Sequence, residues 1–283
     1  MKVGCRGSKL SLAQVDLVED HYGAPLDRVI IKTEGDIDQK TPIAEMGGKS
    51  VFCSAIEKEL LDGTIDVAIH SYKDMPGVST PGLVVNAVLP RGNCKDYLLG
   101  SVKWDSETSP VVGTSSPRRK AQVKQMWPWA DVKDIRGNVP TRIEKLNNGE
   151  YNAIILSGAG LDLLNLTHYT TTELMRELDT IPAICQGIIA LQTRADDTKT
   201  NNLIAHINNE QTYNDSQVER ALLERIGGDC HTALAGNVSH DFLSAEMFLD
   251  GKHTGKVQLR KGSYKTLQDW GYAMADLLLS LLK

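Results

Sequence analysis

The stretch KVGCRGSKLSLAQVDLVEDHYG, residues 2–23, decides the architecture of the first part of the chain. Its short apolar run KVGCR is followed by a turn and then by apolar residues that recur at helical spacing until Gly23. A strand, a turn and a helix in this order form the first half of a β-α-β unit. The stretch therefore predicts an α/β protein.

The same alternation continues along two units. In the first unit, RVIIKT, IDVAIHS and GLVVNAVL are predicted strands, and SVFCSAIEKELLDG is a predicted helix. A second unit begins near residue 92, where the strands PVVGTSS, ADVKDI and YNAIILS alternate with the helices PRRKAQVKQMW, PTRIEKLNNG and AGLDLLNL. We expect two α/β units with parallel-type sheets.

The last part of the chain has a different pattern. A single strand, IIALQTR, precedes a region of about 75 residues that contains the helix DSQVERALLERIG, three strands and a closing helix. The three strands, TALAGNVS, FLSAEMFLD and KVQLRKG, follow one another without intervening helices. This pattern predicts a small α+β unit at the end of the chain.

Composition favours a soluble protein of the cytoplasm. The 283 residues are 41% hydrophobic and 24% charged, the start lacks the apolar core of a signal peptide, and no apolar run is long enough to span a membrane. The five cysteines are scattered and form no CxxC pair, which argues against a disulfide framework and against a zinc site. The net charge of −5 does not favour binding to nucleic acid.

Positive charge is nevertheless concentrated in one region. The segment 113–145 contains eight basic and three acidic residues, a local charge of +5 in an acidic protein. Such a block is either a solvated helix surface or a site for an anionic ligand.

Three motifs place arginines and hydroxyls between a strand and the following helix, where open α/β sheets bind ligands. CRGSKLSLAQ carries Arg6, Ser8 and Gln14. GTSSPRRKAQ carries Thr114, Ser115, Ser116, Arg118 and Arg119, and IRGNVPTR carries Arg136 and Arg142. Because the planar arginine fork binds carboxylate or phosphate in a bidentate manner, we expect a ligand with several anionic groups.

A candidate catalytic carboxylate follows the strand of DVAIHSYKDMPG. Asp74 stands next to Lys73 at the end of this apolar strand. A carboxylate in this position is suited to acid–base work or to the stabilisation of a cation. The alternative is a local ion pair in a turn.

Cys230, in ERIGGDCHTALAG at residues 224–236, has four possible roles: a buried thiol, a metal ligand with His231, a nucleophile, or a covalent attachment point. No HxxxH or CxxC pattern supports a metal, so we expect none. No hydrolase signature surrounds the cysteine either. The residues alone leave the choice open.

Several of these motifs together resemble one family over nearly the full chain, the hydroxymethylbilane synthases, also called porphobilinogen deaminases. The matching blocks, in order, are CRGSKLSLAQ, GGKSVFCSAIEKELLDGTIDVAIHSYKDMP, VGTSSPRRKAQ, IRGNVPTRIEKLNNGEYNAIILSGAGL and IPAICQG. The resemblance implies two α/β domains like those of periplasmic binding proteins, plus a small α+β domain. It implies domain 1 at residues 1–90 and 187–208, domain 2 at 91–186 and domain 3 at 209–283.

The resemblance also implies a function. The family is a transferase of tetrapyrrole (haem, chlorophyll and corrin) biosynthesis that joins four porphobilinogen units head to tail and releases ammonia at each step. It uses one dipyrromethane cofactor bound through a thioether to a cysteine, here Cys230. Asp74 would be catalytic, and Phe52 would lie on a loop over the active site. Cofactor or substrate would contact Arg6, Ser8, Gln14, Lys49, Lys73, Thr114, Ser115, Ser116, Arg118, Arg119, Arg136, Arg142 and Gln186. The family suggests a cytoplasmic monomer without nucleic-acid or membrane partners.

Four positions depart from the family pattern. Asp229 precedes Cys230 where a glycine is usual, Leu163 stands where a basic residue is usual, Cys185 replaces a common glycine, and Lys9 replaces a common proline. A carboxylate beside a thiol raises the pKa of the thiol, so Asp229 bears on cofactor attachment. The competing interpretations are a non-catalytic binder of a polycarboxylate and, more remotely, a nucleic-acid binder.

Overall fold

A computed structural model of the chain describes residues 1–38, 52–100, 107–166, 175–228, 232–262 and 264–283. These residues form three β-sheets covered by helices. Among them, no helix combines the length and the apolar character that crossing a membrane requires. The fold class is the predicted mixture of α/β units and a smaller α+β unit.

The first sheet has five strands in the order β2-β1-β3-β10-β4. The strands are β1 (Lys2–Cys5), β2 (Asp27–Ile30), β3 (Val67–Ser71), β4 (Leu83–Val88) and β10 (Ile189–Arg194). Successive residues of β3 point to opposite faces. On one face, Val67 and Ile69 pack with the helix α1 (Lys9–Tyr22), and on the other Ala68 packs with the helix α3 (Ser54–Leu61). The short helices α2 (Glu34–Ile37) and α7 (Thr198–Ile204) complete this part.

The second sheet also has five strands, in the order β7-β6-β8-β5-β9. The strands are β5 (Asp96–Leu99), β6 (Val111–Gly113), β7 (Asp131–Lys133), β8 (Ala153–Ser157) and β9 (Met175–Glu177). Three helices, α4 (Pro117–Met126), α5 (Val139–Asn147) and α6 (Gly158–Leu163), belong to this unit. β5 and β9 are only four and three residues long and were not predicted from the sequence.

Both large sheets are mixed, so the prediction of parallel-type sheets was wrong in part. β10 is antiparallel to β3 and β4, and β5 is antiparallel to β8 and β9. β5 and β10 are each the first strand after the chain crosses from one sheet to the other. β5 and β10 enter their sheets from the other sheet and not through a β-α-β crossover, so no connecting helix requires them to run parallel to their neighbours.

The two crossings run side by side. The amide of Gly92 in the first crossing donates to the carbonyl of Gly187 in the second at 2.9 Å. Gly187 has a φ of 84°, and a Cβ there would lie 2.8 Å from the carbonyl oxygen of Gly92. This close approach of two backbones therefore requires glycine at residue 187.

The third sheet is antiparallel and is formed by the last part of the chain. Its strands are β11 (Leu234–Ser239), β12 (Phe242–Leu249), β13 (Lys252–His253) and β14 (Val257–Arg260), packed with the helices α8 (Glu210–Ile226) and α9 (Leu267–Leu281). The two-residue strand β13 was not predicted. The hydrophobic core of this unit also takes in Tyr72 and Met75, on either side of Asp74.

Candidate active site

Asp74 ends a 3-10 turn, Tyr72–Asp74, that directly follows β3. Its position is therefore fixed by a buried strand of the first sheet. Asp74 lines a cavity of about 60 Å³ together with Arg6, Ser8, Gln14 and Phe52. The structure thus brings together five of the residues that the sequence predicted for the site.

The N-terminus of α1 forms one wall of this cavity. Ser8 caps the helix by accepting a hydrogen bond from the amide of Ser11 at 3.2 Å. Two turns further on, the amide of the buried Gln14 side chain donates to the hydroxyl of Ser71 at 2.7 Å. This bond ties α1 to the strand end from which the Asp74 turn begins.

Arg6, two residues before Ser8, also lines this cavity. Its guanidinium pairs with Asp36 at 2.5 Å and lies 4.1 Å from the centroid of the Phe52 ring. The side chains of Arg6 and Asp36 are 26% and 27% exposed, so solvent and ligands can still reach the pair. The acidic partner of Arg6 comes from α2, which the sequence analysis did not predict.

Lys73 lies in an adjoining cavity of about 270 Å³ between α1 and α6. Its ammonium donates to the amide oxygen of Gln186 at 3.3 Å. Burial and, to a smaller extent, the charge of Arg119 lower the pKa of Lys73 to about 8, against the opposing effect of the Asp74 carboxylate. Lys73 is therefore mostly charged at neutral pH but close to its titration range.

The second unit contributes two further cations, of which Arg142 interacts electrostatically with Asp74. Arg142 donates to the carbonyl of Gly137 at 2.8 Å, and Arg136 donates to the carbonyl of Asp38 at 2.9 Å. Burial and the charges of Arg119 and Arg136 lower the pKa of Arg142 to about 10, whereas Asp74 raises it. Because like charges crowded together repel one another, an anion bound among them would be stabilised.

Arg118 and Arg119 face inward to one buried carboxylate. The guanidinium of Arg118 contacts one oxygen of Asp96 at 2.7 Å, and that of Arg119 contacts the other at 2.7 Å. The two arginines hold the pKa of Asp96 well below its usual range. The amide of Gln186 also donates to Asp96 at 2.9 Å, which links this pair to Lys73.

The three hydroxyl residues before α4 shape the junction itself. Ser116 caps α4, Ser115 exchanges hydrogen bonds with the backbone of Ile135 at 2.9 and 3.0 Å, and Thr114 accepts from the amide of Ser116 at 3.3 Å. All three hydroxyls thus form hydrogen bonds with backbone groups of the protein. They hold the strand end beside the segment that carries Arg136.

Two predicted site residues, Lys49 and Cys230, lie outside the residues that the structure describes. Gly228, two positions before Cys230, is described and packs tightly on the loop after Asp74. A Cβ at Gly77 would lie 2.4 Å from the carbonyl oxygen of Gly228. Gly228 therefore lies next to the loop that follows Asp74.

Asp96 was missed by the sequence analysis, although two predicted site residues depend on it. It begins β5, a strand too short to give a clear alternating pattern. A single acid preceding YLL offers no signal that its partners lie 22 and 23 residues later. Within the described ranges, no group of three or more His, Cys, Asp or Glu residues is arranged to hold a metal ion.

Cations gathered near a carboxylate between two α/β units are the arrangement expected of a protein that binds an anionic ligand. A family profile described as "Porphobilinogen deaminase, dipyromethane cofactor binding domain" matches residues 1–202. The chain belongs to the porphobilinogen deaminase family, which confirms the resemblance seen in its motifs.

Curated relatives agree with the profile over most of the chain. The porphobilinogen deaminase of Rickettsia prowazekii is 38% identical over 259 residues, covering 86% of this chain and 87% of its own length. That of Maridesulfovibrio salexigens is 35% identical over 292 residues, covering 98% and 94%. Among solved structures, YhfZ from Shigella flexneri aligns with 78% of this chain and 87% of its own, at 15% identity and a TM-score of 0.42.

Proposed function

We propose that the protein is a hydroxymethylbilane synthase. It condenses four porphobilinogen molecules head to tail, releases ammonia at each step, and grows the product on a dipyrromethane primer held by Cys230. The observation that carries this proposal is the position of Asp74, at a cavity with Arg6 and close to the charges of Lys73 and Arg142. Membership of the family supports it.

The proposed chemistry matches this arrangement. Loss of ammonia from the aminomethyl group leaves a positively charged pyrrole, which a fixed carboxylate in a partly buried cleft stabilises. Asp74 supplies that carboxylate. Porphobilinogen also carries two carboxylates of its own, and these need cations such as Lys73 and Arg142 nearby.

The residues also fit a dipyrromethane, whose carboxylates require a cationic pocket. The charge of Arg119 lowers the pKa of both Lys73 and Arg142, and Arg136 also lowers that of Arg142, a crowding of cations that an anionic group would relieve. When bound, the dipyrromethane supplies the pyrrole carbon to which the first substrate is joined. The chain's own residues bind and orient the carboxylates and keep Asp74 beside the reacting nitrogen.

We propose two levels of contact for the predicted residues. Arg6, Ser8, Gln14, Lys73, Arg136 and Arg142 contact substrate or cofactor directly, with Phe52 covering Arg6. Arg118 instead acts through Asp96, because its side chain is only 4% exposed. Arg119, Gln186 and the hydroxyls of Thr114, Ser115 and Ser116 sit behind the direct contacts. Lys49 and Cys230 keep the roles that the family implies.

We also propose three domains at residues 1–90 with 187–208, 91–186 and 209–283. The separate sheets support this division, since each sheet draws its strands from one of these ranges. We propose a cytoplasmic monomer with porphobilinogen as its partner, without nucleic acid or membrane. The acidic net charge and the absence of a spanning helix in the described part of the chain support this proposal.

The mass of the intact protein tests cofactor attachment. We expect the purified protein to be heavier than its sequence by a dipyrromethane, because a thioether survives denaturation. Cys230→Ser should lack the added mass, since a hydroxyl does not form the thioether. Cys94→Ser, which alters a half-buried thiol elsewhere, should retain it. An active protein with no added mass would contradict the proposal.

The titration of Lys73 predicts a pH dependence of substrate binding. Its ammonium is present below pH 8 and is lost as the pH rises through about 8. A charge-assisted contact with a substrate carboxylate should then weaken, and KM for porphobilinogen should rise about tenfold between pH 7 and pH 9. Lys73→Arg, which stays charged, should flatten this rise, whereas the exposed Lys58→Arg should not. An equal rise in KM for Lys73→Arg would exclude Lys73 as the cause.

A further inference from the structure

Arg220 of α8 reaches from the third unit to the loop that follows Asp74. Its guanidinium donates to three consecutive carbonyls, those of Met75 at 3.2 Å, Pro76, and Gly77 at 3.0 Å. It also lies 5.2 Å from the centroid of the Tyr72 ring. One side chain therefore contacts the backbone immediately after Asp74 and the ring two residues before it.

The C-terminal end of α8 contacts the same loop. The helix stops at Gly227, whose φ of 70° turns the chain. Gly228 then packs against Gly77, where a Cβ would come within 2.4 Å of its carbonyl oxygen. A shift of this loop relative to α8 would therefore break the Arg220 contacts and separate the two glycines.

The far end of the loop is held from within the first unit. The hydroxyl of Thr80 donates to the buried carboxylate of Glu57 at 2.8 Å, and the amide of Gln192 donates to the same carboxylate at 2.9 Å. Thr80 is thus held by residues of the first unit, whereas residues 75–77 are held by α8. Arg220 is the charged side chain that joins the loop to the third unit.

We propose that Arg220 is a positioning residue that fixes Asp74 relative to the C-terminal end of α8, which precedes Cys230 in the sequence. The proposal rests on the proposed function, since it assumes that Asp74 reacts with a chain held at Cys230. Carbonyls at three successive residues match the planar fork of arginine, which offers several N–H groups in fixed directions. Lysine has a single nitrogen and cannot reproduce this pattern. Asp74 and the C-terminal end of α8 would then keep a fixed distance from each other.

Arg220→Gln tests the proposal, and Arg225→Gln is the matched control. Arg225 lies on the same helix but is exposed and pairs with Asp276 at the surface. We expect Arg220→Gln to raise amide hydrogen exchange in residues 72–80 at least about tenfold, because charge-assisted hydrogen bonds to the loop are lost. We also expect kcat to fall about 100-fold with little change in KM, since a misplaced catalytic group slows the reacting step. Arg225→Gln should change neither quantity.

The two measurements separate the possible failures. Three results would overturn the positioning role: unchanged hydrogen exchange, faster exchange without a fall in kcat, and a rise in KM without a fall in kcat. Exchange is measured without turnover, so it tests the clamp even if the wild-type protein releases no ammonia, a result that would refute the proposed function instead. If Arg220→Gln does not fold, Arg220→Lys provides the same test, with an expected effect on both quantities in the same direction.

Discussion

Asp74→Asn is expected to lower the rate of ammonia release from porphobilinogen by about 10²- to 10⁴-fold. The amide has the shape of the carboxylate but no negative charge, so it does not stabilise the cation left when ammonia departs. The surrounding cations would also lose the carboxylate that now offsets the lowered pKa values of Lys73 and Arg142. The measurement is kcat under saturating substrate, with released ammonia as the product assayed.

Asp62→Asn is a suitable control for Asp74→Asn. Asp62 is an exposed residue of the same unit and pairs with Lys58 on the surface. We expect this variant to keep nearly full activity, because exposed ion pairs contribute at most about 1 kcal/mol to stability. Ammonia release by Asp74→Asn within a few-fold of the wild-type rate would refute the catalytic assignment.

Asp96→Asn should destabilise the protein by about 3–5 kcal/mol, because it leaves two buried guanidinium groups without their shared carboxylate. The side chains of Arg118, Arg119 and Asp96 are 4%, 9% and 1% exposed, so water cannot replace the lost partner. The change in the free energy of unfolding can be measured by urea denaturation of the cofactor-free protein.

The surface pair of Arg225 and Asp276 provides the comparison for Asp96. Asp276→Asn removes the same kind of charge where solvent screens it, and we expect a loss below about 1 kcal/mol. If both variants lost the same stability, burial of the Arg118, Arg119 and Asp96 cluster would not be the source of the loss. If Asp96→Asn were stable yet failed to bind its cofactor, Arg118 and Arg119 would have a direct role in binding.

The strand–turn–helix junctions were predictable because their signals are local. Ser8, Ser116 and Pro117 mark helix starts in the sequence, and the structure places caps or first helical residues there. The position of Asp74 also followed from one apolar strand and the turn after it. These features depend on neighbours along the chain, which a single sequence records directly.

The partners of the arginines were not predictable because they come from distant and short elements. Asp36 pairs with Arg6 across 30 positions, and Asp96 belongs to a four-residue strand that follows a chain crossing. The contacts of Arg220 could not be predicted either, since its hydrogen-bond acceptors are backbone carbonyls of another unit. Tertiary packing determines which cation meets a ligand and which meets a carboxylate of the protein.

Cys185 departs from the family pattern at a position whose backbone conformation favours glycine. The resemblance places a glycine at this position in most of the family, and the structure gives Cys185 a φ of 57°. This left-handed conformation is favourable for glycine and costs other residues roughly 1 kcal/mol. The amide of Cys185 donates to the carboxylate of Glu219 at 2.6 Å, and its side chain is buried in the core, which helps to hold it there.

The strand order of the first sheet has a consequence for synthesis of the protein on the ribosome. β10 lies between β3 and β4, yet it is made only after the whole second sheet. Synthesis of the first sheet therefore begins before that of the second sheet but is completed after it. We expect the inserted unit to fold while β3 and β4 still await the strand that joins them, the reverse of the usual N-terminal-first order.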